Sequence, residues 1–79
     1  MIDEMKLSSL LHALNRNGVR LVAIAEAAGI NSATIYSISA GRNTSTATEK
    51  YLRQVIAANY KEQLDRIERL AALGVIIDD

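Results

Sequence analysis

Few side chains in this sequence could do covalent or acid–base chemistry, and they do not gather. His12 is the only histidine, and the 79 residues contain no cysteine, so no Cys–His pair, thiolate site or multi-ligand metal cluster can be assembled from them. Glu62, Asp65 and Glu68 do cluster, but they alternate with Lys61, Arg66 and Arg69 at helical i, i+3 and i+4 spacing, the pattern of a solvated helix face. No glycine-rich phosphate loop is present. The expectation is therefore no enzyme, no cofactor and no metal. What remains is the chemistry of binding. Nine cationic and nine acidic residues cancel overall, yet they are unevenly placed. Lys6, Arg16, Arg20, Arg42, Lys50 and Arg53 face only Glu26 and Glu49 between Met5 and Arg53, while Asp3, Glu4, Glu62, Asp65, Glu68, Asp78 and Asp79 lie towards the ends. A polyanion would meet the middle of this chain.

The elements that must position those cations are helices. Proline, tryptophan and phenylalanine are absent, and Tyr36, Tyr51 and Tyr60 are the only aromatics, so the core has to be aliphatic and rich in alanine. Gly18, Gly29, Gly41 and Gly74 are the only strong breakers and divide the chain. Leu7, Leu10, Leu11 and Leu14 recur on one face of a first helix, with Asp3 as its expected N-cap. Gly18 then takes the left-handed position, and Val19 returns over the last turn near Leu14. A short second helix is predicted over 21–28, burying Leu21, Ile24, Ala25 and Ala28. A third follows Gly29, capped by Asn31 or Ser32, with Ile35 and Ile38 inside and Gly41 closing it. Thr46-Ala47-Thr48-Glu49 has capping-box spacing and opens a long helix over 47–73, for which a break near Asn59 is the alternative. Val75, Ile76 and Ile77 form a short β-prone tail. The fold class expected is all-α, a compact bundle of four to five helices. Its size, 79 residues, allows one domain with a modest stability margin.

The stretch from Leu21 to Arg42 carries the most information. A short amphipathic helix, a small residue at Ala25, the turn Gly29-Ile30-Asn31 and a second helix with inward Ile35 and Ile38 make the pattern of a helix-turn-helix. Gly29 supplies the positive φ of the turn. Ala25 lets the second helix cross the first, and Ile30, Ile35 and Ile38 seal the crossing. The outer face of the second helix is then free to enter a major groove.

On these residues, the segment from about 5 to 58 resembles the lambda-repressor-like (Cro/Xre-type) DNA-binding family. Ala25 and Gly29 stand at its small and turn positions, Ile30, Ile35 and Ile38 at its core positions, and Gly41-Arg42 at the Gly-basic pair ending the recognition helix. The resemblance implies a DNA-binding transcriptional regulator of phage or bacterial type, with residues 1–58 as the DNA-binding domain. It assigns base contacts to Ser32, Ala33, Tyr36 and Ser37, and phosphate contacts to Arg20, Asn31, Arg42, Asn43, Thr44 and Lys50. Many members carry Gln, Arg or Asn where this chain has short hydroxyls and an alanine, and Leu21 and Val22 replace a polar pair. Specificity then leans on half-site spacing and DNA shape. The plainer alternatives are a solvated serine face, a packing role for Tyr36 and neutralisation of a helix C-terminus by Arg42. A helix-turn-helix that binds protein instead of DNA is the competing function.

Residues 59–79 are expected to mediate homodimerisation. Tyr60, Leu64, Ile67 and Ala71 approximate a heptad seam, and Val75 and Ile77 extend it. The alternative is that this stripe closes the monomer's own core. A two-fold pair would present two recognition helices about one DNA turn apart. The lack of cysteine, the lack of an apolar run of bilayer length and an acidic rather than basic N-terminus lead to a cytoplasmic expectation.

Overall fold

The computed structural model describes residues 5–74, and these form five α-helices. Helix α1 spans Leu7–Arg16, α2 Leu21–Ala28, α3 Ser32–Ser39, α4 Thr46–Asn59 and α5 Lys61–Ala72. Helix α1 packs on α3 and α5, α2 on α3 and α4, and α4 on α5. The radius of gyration, 11.6 Å, is what a folded globule of this length should have.

One aliphatic core joins all five helices. Leu7, Leu10, Leu11, Ala13 and Leu14 enter it from α1, Ile24, Ala25 and Ala28 from α2, Ile35 and Ile38 from α3, Leu52 and Ile56 from α4, and Ile67 from α5. Alanine at 13, 25 and 28 keeps the helix axes close where a larger side chain would hold them apart. Ile30 and Leu21 are half-buried and pack against the edge of this cluster.

The turns follow from local chemistry. Gly18 has φ +90° and the Val19 amide donates to the Leu14 carbonyl at 3.0 Å, so Val19 folds back into the core as the sequence predicted. Gly29 has φ +69°, and an added Cβ would meet nothing within 4 Å. Glycine is therefore required there by backbone conformation and not by crowding. The Ile30 amide closes the end of α2 on the Ala25 carbonyl at 3.0 Å. Asn31 then caps α3, its side-chain oxygen accepting from the Ala33 amide at 2.8 Å.

Three expectations need correction. Helix α1 starts at Leu7 with Lys6 at the cap position and no side-chain cap bond; Asp3 lies outside the described residues, as does the Val75–Ile77 tail. Helix α4 is capped by Ser45 and not by Thr46. The Ser45 Oγ accepts from the Thr48 amide at 3.1 Å and donates to Thr48 Oγ1 at 2.8 Å, while Glu49, one turn in, pairs with Arg53 at 3.1 Å. Ser45→Ala should accordingly lower stability by about 1 kcal/mol and Thr46→Ala by much less, a difference readable as thermal midpoints. Last, the chain from 46 to 72 is two helices, the break near Asn59 that stood as the alternative to one long helix. Asn59 Nδ2 donates to the Val55 carbonyl at 2.8 Å, the Tyr60 amide still donates to the Ile56 carbonyl at 2.8 Å, and Tyr60 then leaves helical geometry at φ −129°, ψ 38°, where α5 turns back onto α1 and α4.

Candidate functional site

Helices α2 and α3, joined by Gly29-Ile30-Asn31, leave one face of α3 open. At 100° per residue, buried Ile35 and Ile38 point inward, and Ala33 and Ala40 fall at the centre of the opposite face, with Tyr36 on one side and Ser37 on the other. Tyr36 is 53% exposed and Ala33 is exposed, whereas Ser32 and Ser37 are half-buried. The outward surface is thus methyls, one phenol and one hydroxyl. Tyr36 as a core-packing residue does not fit this exposure.

Of the cations expected to hold an anionic backbone, Arg42 directly follows this helix, whereas Arg20 precedes α2 and Lys50 lies on α4. Tyr51, in the second turn of α4, donates its hydroxyl to the Ala28 carbonyl at 2.6 Å. This bond holds that turn of α4, and with it the neighbouring exposed Lys50, against the end of α2, just before α3 begins. Arg42 follows Gly41 at the other end of α3; its amide donates to the Ser37 carbonyl at 3.1 Å and the residue is exposed. An eight-residue helix is about 12 Å long, roughly the width of a DNA major groove, and Arg42 lies just past its C-terminal end. Arg20 is exposed at the start of α2, at the opposite end of that helix from Ala28. Asn43 is exposed and Thr44 half-buried in the loop before α4. The side-chain oxygen of Asn31 is committed to its cap.

Arg53 differs from these cations. Its Nη2 donates to the Met5 carbonyl at 2.6 Å and its Nε to Glu49 at 3.1 Å, so it ties α4 to the start of α1. His12 is also occupied: Nε2 lies 2.7 Å from the Ser39 carbonyl in the last turn of α3. A carbonyl only accepts, so Nε2 carries the proton of this bond. Among the described residues no group of three or more His, Cys, Asp or Glu could hold a metal ion, and no helix is long and apolar enough to cross a membrane.

Of the expected dimer seam, Ile67 is fully buried within a single chain, Tyr60 and Leu64 are half-buried against the same core, and Ala71 is exposed. Ile67 is covered by its own chain, which corrects its assignment to a contact between copies. Val75 and Ile77 lie outside the described residues. Leu73, absent from the expected seam, is 79% exposed and is the most exposed large apolar side chain described. Sequence reasoning also passed over the bonds of His12 and Tyr51, for which the one available hint was polar residues bordering an apolar helix stripe.

No family model matches this chain, and neither a curated protein nor a solved structure shows significant similarity to it.

Proposed function

We propose that the chain is a sequence-specific DNA-binding transcriptional regulator, in which Leu21–Ser39 form a helix-turn-helix of the lambda-repressor-like kind and α3 docks in the major groove. The observation that carries this reading is the outward face of α3, with small side chains and exposed Ala33 and Tyr36, and with exposed Arg42 just beyond its C-terminal end. A groove-inserted helix needs that arrangement: cations set against the flanking phosphates and small side chains that allow close approach to base edges. Ala33 would meet thymine methyls, Ser32 and Ser37 base edges, and Tyr36 sugar or phosphate. Arg20, Asn31, Asn43 and Thr44 would add backbone contacts.

A second copy belongs to this reading, because one α3 offers few base contacts and two-fold pairing doubles them. With Ile67 internal, the pairing surface is the outer end of α5, where Ala71 and Leu73 remain exposed. The partner is duplex DNA in the cytoplasm of a bacterium or phage-infected cell. A second reading, a protein-binding module without DNA affinity, is favoured by zero net charge and by the uncharged centre of the α3 face.

Substitution separates the contact types. Arg42→Ala should weaken binding to every duplex alike and reduce the slope of log affinity against log salt by about two units for a bound pair, one for each copy. Ser37→Ala should chiefly relax sequence preference, and Lys61→Ala should change neither. Equal losses for Arg42→Ala and Lys61→Ala in anisotropy titrations would place the binding face elsewhere.

A further inference from the structure

The last carbonyls of a helix have no partner within it and must find one outside. In both α2 and α3 a side chain from a flanking helix reaches such a carbonyl. Tyr51 of α4 donates to Ala28, the last residue of α2, at 2.6 Å, and His12 of α1 donates to Ser39, the last residue of α3, at 2.7 Å. These residues lie 23 and 27 positions from their acceptors, so each bond joins elements that no local constraint would hold in register. Both donors are planar groups with few rotatable bonds and define direction well. The Ser39 hydroxyl donates to the Tyr36 carbonyl at 2.8 Å, adding a side-chain bond to the same turn of α3.

We infer that His12 and Tyr51 are positioning residues that clamp the α2–α3 pair at its two helix C-termini, holding the exposed face of α3 at the angle from which it reads a base sequence. The inference rests on the DNA-binding reading above. Aliphatic packing is non-directional, so Ile35 and Ile38 fix how deeply α3 is buried more sharply than the angle at which it sits. A directional bond at Ser39 and another at Ala28 set that angle. Phosphate contacts from long, flexible Arg and Lys side chains tolerate a small tilt of α3; short side chains such as Ser37 and Ala33 do not, since each must come within contact distance of a base edge.

The test compares two duplexes: one enriched by the wild-type protein from a randomised library, and one of unrelated sequence. His12→Ala and Tyr51→Phe should each lower affinity for the enriched duplex by about fivefold, on the scale of one hydrogen bond's net contribution, and leave affinity and salt slope on the unrelated duplex unchanged. His12→Gln, which keeps a donor, should recover most of the preference. Residual dipolar couplings of the free protein should show α3 reoriented relative to α1 in His12→Ala while circular dichroism still reports the helices. Equal losses on both duplexes, or an α3 orientation indistinguishable from wild type, would overturn the clamp and leave the DNA-binding reading standing. A wild-type protein that enriches no duplex would remove the DNA-binding reading itself.

Discussion

Ile67→Asp should abolish folding: at 25 °C the far-ultraviolet circular dichroism of the helices is lost, with no folded monomer remaining. Ile67 has no exposed surface and contributes α5 to the cluster formed by leucines of α1 and by Leu52 and Ile56 of α4. An aspartate there would be a buried, unpaired charge, costing several kcal/mol. A domain of this size is stable by roughly 4 to 12 kcal/mol, so one such charge removes much or all of the margin. Ile67→Val, which trims a single methyl, should cost about 1 kcal/mol and leave a cooperative transition. Ala71→Asp, at an exposed site on the same helix, should leave the fold intact and weaken only the pairing of two copies. An Ile67→Asp chain that sediments as a folded monomer with full helicity would return Ile67 to a surface between copies.

The contrast between Ile67 and Ala71 illustrates what could be read from residues alone. Helix α2 was legible, and α3 nearly so, because their punctuation is local: Gly29 for the left-handed turn, Asn31 or Ser32 for the cap, Gly41 just past the end. The return of Val19 over Leu14 was legible for the same reason. The seam from Tyr60 to Ala71 was ambiguous, since an apolar stripe has the same spacing whether it covers its own core or a partner's. The break near Asn59 was one of two readings open in the sequence, and choosing it over one long helix needed the packing of α5 on α1 and α4, which propensity only hints at. Ser45 and Thr46 are both able caps and differ by one position, so local chemistry did not choose between them. The bonds from His12, Tyr51 and Arg53 span 27, 23 and 48 residues and leave no periodic trace. As for the candidate site, its residue types were readable; which of them are exposed, half-buried or already bonded was not, as Arg53 and Asn31 show.

The second large effect is the response of DNA affinity to salt, and it bears most directly on function. Each lysine or arginine seated on a phosphate releases a condensed counterion, so affinity falls as a power of salt concentration set by the number of such contacts. Arg20, Arg42 and Lys50 are exposed in each copy, and six contacts from a pair imply a drop of about a thousandfold between 50 and 200 mM salt. The net charge of zero does not by itself remove this expectation, because the slope counts the phosphate contacts made and not the overall charge. The decisive measurement is a fluorescence anisotropy titration of the wild-type protein against labelled duplexes, one of random sequence and one from upstream of its own gene, over that salt range. Saturable binding to both is expected at the lowest salt, with a steep and log-linear loss as salt rises and tighter residual binding to any duplex that carries the protein's site. No binding to either duplex at the lowest salt, or an affinity indifferent to salt, would contradict it and leave the protein-binding reading of the same α3 face.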